Sequence, residues 1–235
     1  LWNRGLVGSM QGPCPSFVFM DRAVKRVAGR SGIIRVAKRD VEVGNVDLQA
    51  PEAERFDPRR DGPDLAYEHV HRYVLASRAT AGLKVLDLAA GSGYGSRILS
   101  EGGASVTSLD LDPEASGIRS GGVCGDAMSL PFADESFDAV ICFEAIEHVS
   151  DPAKLVTEVR RVLRGPSVFI VSTPDREIYT DRAGHDNVHH IAEMNRDEFR
   201  ALLRRRFSSC RILGQGLWAG SWIGATFSIW IGEQE

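Results

Sequence analysis

The chain has 235 residues and 25.7 kDa, with 43% apolar and 26% charged residues, enough to bury a sizeable core and too apolar for a disordered protein. Its 28 Lys and Arg against 32 Asp and Glu give a net charge of −4, which excludes nucleic acid as an electrostatically bound partner. Four scattered cysteines (Cys14, Cys124, Cys142, Cys210) form no Cys-x-x-Cys pair, so neither a disulfide framework nor a zinc knuckle is indicated and a cytoplasmic setting is expected.

Residues 1–50 read as a basic N-terminal extension. The first 40 carry eight Lys or Arg and two acids, a balance of +6 that leaves −10 on the rest. Gly5-Leu6-Val7-Gly8-Ser9-Met10 resembles a cloning scar with Met10 as a start, so this stretch is expected to be partly disordered or non-native. An arm for anionic partners is the alternative. Phe17–Met20 is too short an apolar run for a secretory signal.

Residues 51–235 read as one domain. Asp64 caps a helix over about 64–81, stopped at Gly82. Lys84–Leu88 is an apolar strand, followed by a Gly-rich turn and a helix over about 96–101. Ser105–Leu109 is a second strand ending at Asp110, and Val123–Cys124 a third, short one. Phe137–Phe143 is a β-branched and aromatic strand. Asp151-Pro152 opens a helix in which Leu155, Val156, Val159, Val162 and Leu163 share a face, and Gly165-Pro166 ends it. Ser167–Ser172 is a further strand, and Arg196–Phe207 a helix with Phe199, Leu202 and Leu203 on one face. Ile212–Ile231 carries no charge over twenty positions, a bilayer's span, yet Gly214, Gly216, Gly220 and Gly224 suit turns between short buried strands, so no membrane span is expected. Apolar strands alternating with amphipathic helices predict an α/β fold with a mostly parallel sheet covered on both faces.

In such sheets ligands bind beyond the carboxyl ends of the strands. After the first parallel strand comes Asp87-Leu88-Ala89-Ala90-Gly91-Ser92-Gly93-Tyr94-Gly95, where Gly91 and Gly93 let the backbone turn close to a ligand. Asp110 ends the second, nineteen residues beyond Gly91, a spacing that suits a carboxylate accepting both ribose hydroxyls. Gly125-Asp126-Ala127 follows the third. Three aligned signals at successive strand ends predict a nucleoside-containing cofactor.

These motifs, with Phe137-Asp138-Ala139-Val140, Phe143-Glu144-Ala145-Ile146-Glu147-His148-Val149 and Asp151-Pro152, resemble class I S-adenosylmethionine-dependent methyltransferases of the small-molecule, type 11-like branch. The resemblance covers about residues 64–207 and departs at Ala89, where the family has a glycine; this small-for-small change is expected to be tolerated. Arg55-Phe56-Asp57-Pro58, Glu68-His69-Val70-His71-Arg72-Tyr73 and the loop His185-Asp186-Asn187-Val188-His189-His190-Ile191 are similar to bacterial enzymes of sugar, glycan and natural-product pathways. The resemblance implies a Rossmann-like, doubly wound, seven-stranded sheet with helices on both faces. It also implies a leader helix over the cofactor and a substrate loop over about 174–195. S-adenosylmethionine is the implied cofactor. Asp87, Ala89, Gly91 and Gly93 would meet its methionine end, and Tyr73 or Arg72 its carboxylate. Asp110 would bind ribose, Leu111 and Met128 would flank adenine, Asp126 and Ala127 would meet its edge, and Phe143 would line the sulfonium wall.

The implied reaction is methyl transfer to a small-molecule acceptor, a hydroxyl oxygen of a sugar or natural-product intermediate, glycosylated acceptors included. N- or C-methylation of a metabolite and a non-catalytic cofactor-binding scaffold are the alternatives. His148 is the candidate base, since an imidazole's ordinary pKa near ~6.5 suits proton acceptance at neutral pH. Glu144 and His189 are further candidates at the catalytic side, and packing or solvated roles compete for all three. The cluster His185, Asp186, His189 and His190, with Glu144 or Asp175, matches no standard metal spacing, so no metal is expected. A nicotinamide reductase is disfavoured because the turn reads Gly-x-Gly-x-Gly and no Tyr-x-x-x-Lys pair is present. A nucleobase aminomethyl enzyme is disfavoured by Phe143-Glu144-Ala145-Ile146 where an Asn/Asp-Pro-Pro-aromatic turn belongs. A homodimer is left open.

Overall fold

The computed structural model describes residues 15–21, 63–114, 121–185, 187–218 and 228–232. The remainder of the basic extension, the Arg55–Pro58 motif, Cys14, Asp186 and residues 219–227 lie outside the described residues.

In chain order the elements are β1 (Pro15–Asp21), α1 (Pro63–Thr80), β2 (Lys84–Leu88), α2 (Tyr94–Glu101), β3 (Ser105–Asp110), β4 (Val123–Cys124) and β5 (Phe137–Phe143). A 3₁₀ turn (Ile146–His148), α3 (Pro152–Val162), β6 (Leu163–Pro174), a π-helical turn (Glu177–Arg182), α4 (Arg196–Arg204), β7 (Arg211–Trp218) and β8 (Ser228–Gly232) complete them. The strands form one sheet in the order β4-β3-β2-β5-β6-β1-β7-β8. The first five are parallel, while β1 runs antiparallel to both β6 and β7, and β8 antiparallel to β7. The fold is thus the doubly wound, mostly parallel sheet, and Pro15–Asp21 brings the described strands to eight where seven are implied by resemblance.

Alternation along the strands explains why both faces are covered. Leu86, Leu88, Val140, Cys142, Phe169 and Val171 pack with Leu155, Val156 and Val159 of α3 and Phe199 and Leu203 of α4. Their neighbours Val85, Ala139, Ile141, Phe143, Val168 and Ile170 pack on the other face with Tyr73 and Ala76 of α1 and Leu99 of α2. A strand buried on both faces needs the near-continuous apolar runs that the sequence shows. Each fully buried Leu, Val or Ile contributes about 1.5–3 kcal/mol, so α3, with Leu155, Val156, Val159 and Val162 all buried, is held mainly by this stripe. Its start is fixed by the Asp151 carboxylate, which accepts from the Lys154 amide at 2.9 Å, and by Pro152 in the first turn.

The helix ends at Val162 rather than at Gly165-Pro166. Leu163 is already extended and pairs with Phe137, so β6 begins there and the Gly-Pro pair falls inside the strand near a register shift. At the other end of the chain, β7 and β8 pair antiparallel, Gly214 to Trp218 against Gly232 to Ser228, largely within the uncharged stretch. Among the described residues no helix is long and apolar enough to cross a membrane.

The sheet order turns at β2 and β5: connections from β2 run toward β3 and β4, those from β5 toward β6. The crevice beyond Leu88 and Phe143 is therefore where a ligand of this fold binds.

Candidate active site

The loop after β2 is built from left-handed backbone. Ala89, Gly91 and Gly93 have φ of 59°, 54° and 78°, a region open to glycine and costly for alanine. Space beside Gly91 and Gly93 is open, with nothing within 4 Å of the point a Cβ would occupy. This loop is tied to the end of β3: the Ala90 amide donates to the Leu109 carbonyl at 3.0 Å and the Gly91 amide to Asp110 Oδ2 at 2.8 Å. Asp110 Oδ1 accepts from the Asp112 amide at 3.1 Å, so backbone amides on both sides fix the carboxylate at the end of β3. Asp126 Oδ1 accepts from the Met128 amide at 2.7 Å, shaping the turn that carries Ala127 and Met128. Leu111 is 72% exposed beside them. An open, amide-rich cradle next to a carboxylate and apolar side chains fits a nucleoside bearing an amino-acid tail.

The Ala89 strain gives a direct expectation. Relief of a left-handed alanine is worth roughly 1–2 kcal/mol, against roughly 0.4–1 kcal/mol of added unfolded-state entropy. Ala89→Gly should therefore stabilise the chain and raise Tm by about 1–4 °C. A fall in Tm on thermal unfolding would contradict the strain.

Beneath the loop, Asp87 is 0% exposed. Its Oδ1 accepts from the Tyr73 hydroxyl at 3.0 Å and its Oδ2 from Ser96 Oγ at 2.5 Å, and Ser96 in turn accepts from Ser108 at 2.9 Å. Burial pushes the Asp87 carboxyl up to about 6, while the two hydroxyl donors pull against that rise. Tyr73 is spent on Asp87 and packs edge-on against Tyr94 and Phe143, with centroids 5.3 and 4.9 Å apart. Arg72 is 2% exposed and turned inward: its Nη1 donates to Gln215 Oε1 at 3.2 Å and lies 3.6 Å from Glu144 Oε1. Both side chains are thus buried and held by protein partners.

On the β5 side the backbone is strained at Glu144, a non-glycine residue with φ of 48°. Its Oε1 accepts from Ser172 Oγ at 2.5 Å. Glu147 and His148 sit on the following 3₁₀ turn. Glu147 is 0% exposed, and burial, reinforced by Glu144, raises its carboxyl well above the usual range. Thr173 donates to its Oε2 at 3.0 Å, but its Oε1 has no hydrogen-bond partner among the described residues. His148 Nδ1 lies 3.0 Å from the His189 carbonyl. A carbonyl only accepts, so Nδ1 carries the proton and Nε2 keeps its lone pair; that Nε2 is 3.9 Å from Glu147 Oε1.

The loop over 174–195 thus reaches the β5 end, but not with the residue expected. His189 contributes its carbonyl while its side chain is exposed. His190 instead brings its ring to His148, edge-on at 4.9 Å, and its Nδ1 is 2.6 Å from Glu193 Oε1. His185 is exposed, against Tyr179. The sequence places His190 in a histidine cluster without marking its partner, and Glu193 is missed because only its three-residue spacing from His190 hints at a pair. Ser96, Thr173 and Gln215 escaped because nothing local marks a buried polar partner.

Comparison with known proteins adds to this geometry. A family profile described as Methyltransferase domain matches residues 86–171. A Mycolicibacterium smegmatis protein named as an S-adenosylmethionine-dependent methyltransferase is 34% identical over 176 residues, covering 68% of this chain and 68% of that protein. A demethylmenaquinone methyltransferase of Renibacterium salmoninarum is 34% identical over 44% of this chain and 49% of its own length. A ubiquinone biosynthesis O-methyltransferase of Rhizobium etli is also 34% identical, over 52% of this chain and 54% of its own length. The chain spans about half the length of these two relatives. The crystal structure of Bacillus subtilis YcgJ superposes with a TM-score of 0.51 at 27% identity, covering 59% of this chain and 68% of that one. With its fold, its loop after β2 and these relatives together, the chain belongs to the S-adenosylmethionine-dependent methyltransferases.

Proposed function

We propose that the chain methylates a hydroxyl oxygen of a small molecule, with a sugar or natural-product intermediate as the preferred acceptor class. The observation that carries this reading is the acceptor side of the crevice, where His148, with its tautomer set by the His189 carbonyl, offers a basic Nε2 just past the end of β5.

When bound, S-adenosylmethionine supplies an electrophilic methyl group, and its transfer to a hydroxyl releases a neutral thioether and one proton. The Ala89–Gly93 loop would hold the methionine end of the cofactor and Asp110 its ribose, the two being tied together by the Gly91 amide on Asp110. Asp87 acts from below as a positioning residue, since its carboxyl is fully buried and held by Tyr73 and Ser96. Leu111 and Met128 would flank the adenine, Asp126 and Ala127 would meet its edge, and Phe143 would line the wall near the sulfonium. With alignment supplied by this cradle, the chemistry left to the protein is removal of the hydroxyl proton, which falls to the His148 side.

A ring hydroxyl of a quinol-type acceptor is the second reading, favoured by the likeness to the ubiquinone biosynthesis O-methyltransferase. Transfer of a deuterated methyl group to a panel of sugars, phenols, quinols and amines, with products located by mass spectrometry and NMR, tests both. O-methyl products support the proposal. Label found on nitrogen or carbon alone would overturn it.

A further inference from the structure

We infer that Glu147, His148 and His190 form a three-ligand site for a divalent transition-metal ion beside the acceptor face of the crevice. The ligand atoms these residues offer all lie within 4.8 Å of one another, a separation that one ion bridges with small side-chain movements.

Three independent features point the cluster at a cation. Glu147 Oε1 is completely buried and has no hydrogen-bond donor among the described residues, so the fold desolvates an acceptor and leaves it facing the two histidines. His148 has its Nδ1 proton fixed on a backbone carbonyl, which directs the Nε2 lone pair toward that same oxygen at 3.9 Å. His190 has its Nδ1 on the Glu193 carboxylate at 2.6 Å, and Glu193 is itself anchored by Thr180 at 2.5 Å. Imidazoles whose far nitrogens are held by a carbonyl and by a carboxylate are the outer-shell arrangement that orients metal-binding histidines and raises their basicity. A purely structural histidine pair has no need of a buried carboxylate oxygen left without a donor beside it.

Two imidazoles and one carboxylate form an N₂O set with positions left open, suited to Zn²⁺, Co²⁺ or Mn²⁺ rather than to Mg²⁺, which prefers oxygen ligands. For the chemical use of the ion, the inference rests on the acceptor-oxygen reading above. A hydroxyl entering an open position is acidified, its proton passes to water, and the oxygen is held for attack. With the ion bound, Nε2 is a ligand and not the base, so His148 serves the acceptor through the metal in place of taking the proton itself. This departs from the metal-free site expected from sequence spacing, because the ligands come from a turn and a distant loop.

The test uses the full chain after chelator treatment, without cofactor or acceptor, so it stands or falls apart from methyl transfer. Zn²⁺ is titrated against a chromophoric chelator, and Co²⁺ is added as an optical probe. One Zn²⁺ per chain, a Co²⁺ d–d band, and Mg²⁺ failing to compete are expected. Glu147→Gln and His190→Ala should each weaken Zn²⁺ at least about 100-fold, and Glu193→Gln about 10–100-fold. His185→Ala should leave the affinity unchanged. Circular dichroism checks each fold, and His190→Ala, on the loop rather than in the core, keeps the test valid where Glu147→Gln unfolds. Absence of Zn²⁺ binding by the wild-type chain, or equal binding by His190→Ala, overturns the site.

Discussion

Gly95→Ala is expected to be among the most damaging small substitutions in the chain. A Cβ at this position would stand 2.1 to 2.5 Å from three atoms of the Tyr73 ring, closer than any non-bonded carbon contact tolerates. The ring has nowhere to go. It is 3% exposed, flanked by Phe143 and Tyr94, and its hydroxyl is committed to Asp87 at 3.0 Å. Forcing one extra carbon into such a place costs about 3 kcal/mol or more, which lowers Tm by roughly 6–12 °C in a chain of this size. Because Tyr73 and Asp87 lie under the loop after β2, cofactor affinity should fall with it. Shortening the obstructing ring gives the diagnostic partner: Tyr73→Leu should recover part of the loss in a double-mutant cycle, whereas independent effects would simply add. An unchanged Tm for Gly95→Ala would refute the packing argument. The third glycine of the motif is thus there for the approach of α2 to α1, while the first two serve the open cradle.

The second large effect is expected at His148. Removal of a positioned acid–base or metal-held group costs about 10²–10⁴ in turnover, so His148→Ala should lower kcat by that factor. Affinity for S-adenosylhomocysteine should stay within about twofold, because a group that acts only in the transition state leaves ground-state binding alone. His148 lies on the turn after β5 and not on the Ala89–Gly93 loop after β2, so the two measurements separate the proposed acceptor side from the cofactor cradle. Turnover equal to wild type would retire His148 from the chemistry, whether as base or as ligand. A parallel loss of cofactor affinity would assign it to packing.

Much of the architecture was legible because it depends on local patterns. Lys84–Leu88 and Phe137–Phe143 appear with the bounds that their apolar runs predict, since a strand buried on both faces advertises itself in every residue. The loop after β2 and Asp110 were equally visible, as turn chemistry and strand ends sit next to each other in sequence. What escaped were pairings between distant segments. The early end of α3 follows from Leu163 meeting Phe137 in the sheet. The inward turn of Arg72 depends on Gln215, 143 residues away. His189 looked like the catalytic histidine of its loop, yet the chain path brings the His190 ring to His148 and leaves His189 only its carbonyl. One residue of register in a loop exchanges those roles, and nothing in composition or spacing sets it.

The central claim is that the crevice beyond β2 and β5 binds S-adenosylmethionine and its product. Calorimetric titration with S-adenosylhomocysteine, repeated with NADH and NADPH and with the Asp110→Ala chain, tests it most directly. Binding of S-adenosylhomocysteine alone at one site, markedly weakened by Asp110→Ala, is the predicted result. Binding of a nicotinamide cofactor in its place, or wild-type affinity in Asp110→Ala, would contradict the account.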